Sequence, residues 1–197
     1  MAVRKVQIIS RKRVLDDFFK IDEVHLRFER YDGSMSEVIR RLNFERGDSV
    51  AALIVDPDKK TAALAEQFMY PAYEKAGGWM PTLVAGMIDQ GETAEQAVRR
   101  EIMEEAGFET ERLVPIADFF VSPGGSDERI FLFCAVVSER SRRSAGGGLA
   151  SESEDIRIVS LPIDDFLARV RGGQINDAKT LVAGYWLAEN LAGVLRG

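Results

Sequence analysis

Residues 86–108, GMIDQGETAEQAVRREIMEEAGF, constrain this chain more than any other stretch. Thr93 with Gln96 three residues on forms a capping box, Ala94 to Ala106 holds neither Gly nor Pro, and Gly107 stands where a left-handed C-terminal cap belongs. The spacing predicts a helix over 94–106. Residues three and four apart share a helix face, so Glu101, Glu104 and Glu105 present their carboxylates together. Like charges at this spacing repel, and the helix dipole disfavours anions in the last turn. Arg100 lies four residues before Glu104, but Arg99 and Arg100 are too few to neutralise the cluster. A divalent cation would do so, and an all-oxygen donor set suits Mg²⁺ or Mn²⁺. Taken alone, an acidic helix face is more often simply solvated.

Composition removes several alternatives. The 197 residues carry 26 Lys and Arg against 32 Asp and Glu, a net charge of −6, with no long basic run to follow a nucleic-acid backbone. A phosphate-bearing substrate would be repelled unless metal ions reversed the local sign. Residues 86–108 hold six acidic and two basic side chains and residues 151–158 three and one, so these windows carry the whole −6 and the remainder is balanced. One Cys, Cys134, and one His, His25, exclude an intramolecular disulfide and a Cys/His zinc site. Cys134 in FLFCAVV reads as an apolar filler and His25, in an alternating stretch, as a solvent-facing strand residue. No run reaches the roughly 18 apolar residues of a membrane span, and charges break up the apolar residues of the N-terminus. The expected location is the cytoplasm.

Alternating apolar residues over 4–14, 18–31 and 35–44, with a turn signal at Asp32-Gly33, predict a three-stranded N-terminal piece. Strands are expected at SVAALIV, TAALAEQFMY and WMPTLVAGMI, with a loop from Tyr73 to Gly78. Further strands are expected over 112–121, 127–138 and IRIVSL, and helices over 163–171 and 178–195. SERSRRSAGGGLAS, polar and rich in Gly, reads as a mobile surface loop. The order predicts an α+β chain: a β region over 1–45 and a main domain over 46–197.

Gly86, five residues, Glu92, seven residues, then Arg100-Glu101-Ile102-Met103-Glu104-Glu105-Ala106-Gly107-Phe108 meets every fixed position of the Nudix box, G-x5-E-x7-R-E-U-x-E-E-x-G-U with U apolar. The chain is identified by this match as resembling the Nudix hydrolases. The resemblance implies an α/β/α sandwich around a mixed β-sheet and hydrolysis of a nucleoside diphosphate linked to another group. It implies metal ligands at Glu101, Glu105 and the carbonyl of Ala85, assistance from Glu104, and a Glu92–Arg100 pair holding loop to helix. Metals there would neutralise a pyrophosphate and activate a water for in-line attack.

Further matches point to a subclass. Pro123, sixteen residues after Gly107 in Ser-Pro-Gly-Gly, resembles the ADP-ribose pyrophosphatases, although Pro-Gly is also a common turn. Phe44-Glu45-Arg46-Gly47, after Arg40 and Arg41, resembles a segment ahead of their core sheet. Gly148 to Ile156 resembles their acidic loop, which implies Glu152 as base and Glu154 as a further metal ligand. The same resemblance implies substrate contacts from Arg40, Arg41, Arg46, Phe28, Pro123, Gly124 and Glu128. It also implies a homodimer in which the N-terminal β region serves dimerisation. ADP-ribose, cleaved to AMP and ribose 5-phosphate with Mg²⁺ or Mn²⁺, is the first substrate expected. GDP-mannose is the second, because its hydrolases share the SPGG turn, an AGGG-containing acidic loop and the stretch Gly173 to Thr180. Met69 and Pro81 to Val84 depart from the pattern where substrate would be recognised. A non-catalytic nucleotide-sugar sensor would usually lack box carboxylates, all of which are present here. An mRNA-cap hydrolase would need a basic RNA surface that SERSRRS is too short to supply.

Overall fold

The computed structural model describes residues 3–196 apart from the side chain of Glu152. The chain divides into two compact units, Met1–Asp48 with Phe120–Arg129, and Ser49–Phe119 with Ile130–Gly197. Residues 120–129, which the sequence places in the main domain, therefore group with the N-terminal β region. They do so through main-chain and carboxylate bonds between distant segments: Phe44 N–H donates to the Gly125 carbonyl, and Asp127 accepts from Arg46 and Gly47.

The first unit is a three-stranded antiparallel sheet in the order β1 (Val6–Asp16), β2 (Lys20–Phe28), β3 (Ile39–Glu45). The Asp32-Gly33 turn forms as its residue types require, with Gly33 at φ +84° and Asp32 Oδ1 accepting from Ser34 N–H at 2.9 Å. Arg13 ties the three strands together, donating to Asp22 and Glu45 at 2.6 Å each. Among the described residues only one apolar side chain of this unit, Val24, is fully buried, while Ile8, Ile9, Val14 and Phe18 lie exposed. This sheet has little core of its own.

The second unit contains a mixed seven-stranded sheet. Its order is β10 (Arg157–Pro162), β5 (Thr61–Phe68), β4 (Asp48–Asp56), β9 (Arg129–Val136), β8 (Arg112–Phe120), with β6 (Trp79–Thr82) on β5 and β7 (Val84–Met87) on β4. Strand residues alternate faces, and both faces are covered. Ala51, Leu53 and Val55 of β4 join a core with Ile163, Phe166 and Val170 of helix α3 (Ile163–Arg171) and Ala183 and Leu187 of helix α4 (Ala178–Leu195). Val50, Ala52 and Ile54 join an opposite core with Ala97 and Val98 of helix α2 (Ala94–Glu101). A strand buried on both faces reads as an unbroken apolar run, as Val50 to Val55, VAALIV, does. The result is the expected α/β/α sandwich.

Four local expectations are corrected. Tyr70–Ala76 is a helix, α1, rather than a loop: Pro71 sits in its first turn, where its missing N–H costs nothing, and Gly77 caps it at φ +79°. WMPTLVAGMI is two strands, since its halves pair with different neighbours and break at Leu83. The predicted helix 94–106 is α-helical only to Glu101 and continues as a π-turn over Ile102–Ala106. Finally, the Gly-rich stretch 138–151 is not a free loop. It forms two short 3₁₀ turns, and its Arg143, Ser144, Gly147 and Gly148 N–H groups bond to the end of the 94–106 helix.

Candidate active site

Helix α2 begins as its sequence dictates, with Thr93 Oγ1 accepting from Gln96 N–H at 3.2 Å and Gln96 Oε1 accepting from Thr93 N–H at 2.9 Å. At its other end Glu101 is buried against Gly86, where any Cβ would collide with the Glu101 carboxyl group. That contact explains a glycine at the first position of the motif. The turn that follows, Ile102–Ala106, is wound as a π-turn and carries Glu104 and Glu105, and such turns concentrate at functional sites.

Arg100 braces the cluster. It donates Nε and Nη2 to the two oxygens of Glu92, both at 3.1 Å, and Nη1 to Glu101 at 2.7 Å and Glu104 at 3.2 Å. Nη2 also reaches the Met87 carbonyl at 3.1 Å, so one guanidinium joins the 87–92 loop to three carboxylates of the motif. Hydrogen bonding to Arg100, opposed by some desolvation, lowers the Glu92 pKa below the ordinary carboxyl range.

Glu105 is 1% exposed and its Oε2 has no hydrogen-bond partner. Burial first, then the charges of Glu101 and Glu154, push its carboxyl up to about 8, against an Ala85 backbone hydrogen bond and the Lys179 ammonium. Glu101 is raised as well, by burial foremost, against hydrogen bonding to Arg100. Glu154 holds its Oε2 on the Leu149 N–H at 2.9 Å. Ala85, Glu101, Glu105 and Glu154 thus lie within electrostatic or hydrogen-bonding reach of one another in the second unit.

Nudix hydrolases use divalent metal ions, and these residues fit one. The donor set is oxygen throughout, and Glu105 offers a buried acceptor atom with nothing bonded to it. Among the described residues no three His, Cys, Asp or Glu side chains already converge as a cage for an ion. Arg100 Nη1 engages Glu101 and Glu104, and Glu105 favours its neutral form. The side chain of Glu152 lies outside the described residues.

The expected substrate residues all belong to the first unit. Phe28, Arg41, Pro123 and Gly124 line one cavity of about 450 Å³ together with Val24 and Asn43. Arg40 is outside it, paired with Glu23 at 2.5 Å. Arg46 and Glu128 are also outside, 3.8 Å apart, with the Arg46 guanidinium 5.1 Å from the Phe19 ring centroid. His25 is half-buried with Nδ1 3.4 Å from Ser10 Oγ. Burial pushes the Cys134 thiol up to about 12, which disqualifies it as a nucleophile.

Three features escape the sequence. Asp127 accepts from Arg46 N–H at 2.8 Å, Gly47 N–H at 3.3 Å and Asn43 Nδ2 at 3.1 Å. Burial opposes its charge, but these bonds outweigh it and lower its pKa. Lys179, paired with Asp177 at 2.8 Å, acts electrostatically on Glu105, and only the resemblance around Gly173–Thr180 had drawn attention to it. The docking of Gly146–Gly148 had no local signal beyond the glycines themselves.

A sandwich carrying this carboxylate cluster defines a class, and similarity to known proteins identifies it. The NUDIX domain model matches residues 45–181. The ADP-ribose pyrophosphatase of Escherichia coli (strain K12) is 37% identical over 185 residues, covering 92% of this chain and 87% of that protein. A GDP-mannose pyrophosphatase of Pectobacterium atrosepticum is 31% identical over 179 residues, covering 90% and 91%. A crystal structure titled as an ADP compounds hydrolase superposes over the full length of both chains with a TM-score of 0.74 at 21% identity, a likeness of fold. The chain belongs to the Nudix family. It is a hydrolase acting on pyrophosphate bonds.

Proposed function

We propose that this protein hydrolyses the pyrophosphate bond of a nucleoside diphosphate sugar with Mg²⁺, taking ADP-ribose to AMP and ribose 5-phosphate. The observation that carries the reading is the buried Glu105 carboxylate with its unpartnered oxygen, grouped with Glu101 and Glu154 in a chain that matches an ADP-ribose pyrophosphatase over nearly its whole length. Glu101, Glu105, Glu154 and the Ala85 carbonyl would hold the ion, with Mn²⁺ able to replace Mg²⁺. Bound there, it would neutralise the pyrophosphate and lower the pKa of a water. Arg100, held by Glu92, keeps Glu101 and Glu104 oriented. Glu152 takes the proton of the attacking water as its oxygen bonds to phosphorus. The anhydride P–O bond breaks and the departing phosphate keeps its electron pair. Phe28 and Pro123 offer apolar surface to a base, and Arg41 a cation to a phosphate, with Gly124, Arg40, Arg46 and Glu128 as further contacts.

GDP-mannose is the second reading, favoured by relatives at 31–32% identity that cover nine-tenths of this chain. Parallel turnover of the two substrates with Mg²⁺ decides between them. We assign residues 1–45 to dimerisation and 46–197 to the hydrolase domain, apart from residues 120–129, which group with the first unit, and the working form to a cytoplasmic homodimer. The exposed Ile8, Ile9, Val14 and Phe18 support the dimer. No helix of the described residues is long and apolar enough to cross a membrane.

A further inference from the structure

The stretch that leads to Glu154 is fastened to the end of the 94–106 helix by main-chain hydrogen bonds, with Arg143 paired to Glu109 and the Arg142 guanidinium 4.2 Å over the Phe108 ring just beyond it. Arg143 and Ser144 N–H donate to the Gly107 carbonyl at 2.8 and 3.2 Å, Gly147 N–H to the Glu105 carbonyl at 2.8 Å, and Gly148 N–H to the Glu104 carbonyl at 3.1 Å. A helix end leaves such carbonyls without intrahelical partners, so these bonds satisfy acceptors that would otherwise need water. The loop also closes on itself. Ile156 N–H donates to the Gly147 carbonyl at 3.2 Å, and Leu149 N–H to Glu154 Oε2 at 2.9 Å.

Two glycines permit this approach. Gly146 lies at φ +71°, and a Cβ there would collide with the Glu105 carbonyl oxygen and stand 2.8 Å from the Ala106 carbonyl carbon. Both atoms are backbone and have no rotamer through which to withdraw. Gly148 lies at φ +83°, and a Cβ there would stand 2.5 Å from Glu154 Oε2 and 2.7 Å from Glu154 Cβ. The first glycine sets the distance of the loop from the backbone of Glu105, and the second sets the position of the Glu154 side chain.

We propose that Gly146 and Gly148 are positioning residues of the metal site, whose lack of side chains lets the loop backbone fix Glu154 relative to Glu105. The inference rests on the reading above that Glu105 and Glu154 hold the ion. It makes the Ala-Gly-Gly-Gly stretch a splint.

Binding of Mn²⁺, followed by titration of the folded full-length protein, tests this with Gly146→Ala and Gly148→Ala. Gly77→Ala is the control, since Gly77 also lies at a positive φ, +79°, but has nothing within 4 Å of its would-be Cβ. It therefore carries the backbone strain without the collision. The expected result is Mn²⁺ affinity at least tenfold weaker in both loop variants and within twofold of the native protein in Gly77→Ala. Native affinity in both loop variants overturns the proposal, as does an equal loss in the control. If a loop variant fails to fold, amide hydrogen exchange on the native protein decides: Gly147 and Gly148 should exchange as slowly as the 94–106 helix, and exchange at the rate of an open loop overturns the proposal. Glu105→Gln separates the two levels. Unaltered Mn²⁺ binding in that variant refutes the metal assignment itself, whereas loss there with native binding in the loop variants refutes only the splint.

Discussion

Glu105 is the residue on which the proposed chemistry turns, because it is a carboxyl group held out of water with one oxygen unbonded. Its carboxyl is raised from 4.5 to about 8, so between these values the metal-free folded protein holds a proton that the unfolded chain has released. The stabilisation is complete below about pH 4.5 and is lost as pH rises through about 8. Urea unfolding in the presence of a chelator should therefore show stability falling across that window, and Glu105→Gln should flatten the fall. A native profile that is level or rising would contradict the protonation assigned to Glu105. Metal binding at the proposed site would displace the same proton, so apparent Mn²⁺ affinity should increase up to about pH 8. The three clustered glutamates were legible because helix periodicity is a local rule, and Arg100 because its four-residue spacing to Glu104 is local too. Asp127 and Lys179 were not, since each acts across the fold on partners that no local spacing reveals.

Among the elements, α4 starts on Asp177, whose Oδ2 accepts from Thr180 N–H at 3.0 Å and Oγ1 at 2.6 Å while Oδ1 holds Lys179. Asp177→Ala should cost about 0.5–2 kcal/mol through the lost cap. It should also weaken Mn²⁺ binding if releasing Lys179 disturbs Glu105. Chemical denaturation and metal titration read the two effects separately. Phe166 of α3 is fully buried beneath the sheet, and Phe166→Ala should cost about 3–5 kcal/mol by the same unfolding assay. Helices α3 and α4 match their sequence-based bounds because amphipathic or capped runs declare themselves. Helix α1 did not, since Tyr70–Ala76 buries no residue and so shows no apolar period. The π-turn likewise needs knowledge of what packs around Ile102 and Glu105, which a capped run without Gly or Pro conceals.

For the molecule as a whole, the first unit has almost no core and several exposed aliphatic side chains, a poor state for a free surface. Light scattering should give twice the 21.9 kDa chain mass at working concentrations, and replacement of Ile8 and Phe18 by Asp should shift that value toward the single chain. The sequence divided the chain at residue 45 as though units were contiguous, whereas residues 120–129 return to the first unit through Asp127 and Gly125. The acidic balance has also gained a location. The two windows that carry the whole −6 each place a carboxylate within electrostatic reach of Glu105, Glu101 from the first and Glu154 from the second, consistent with an ion-dependent site on an otherwise neutral protein. The most direct test is turnover of ADP-ribose and GDP-mannose, each with Mg²⁺ and with a chelator. AMP and ribose 5-phosphate should form from ADP-ribose only when Mg²⁺ is present, faster than GDP-mannose is cleaved; ADP-ribose left intact with Mg²⁺, or cleaved equally well in chelator, would contradict the proposed function.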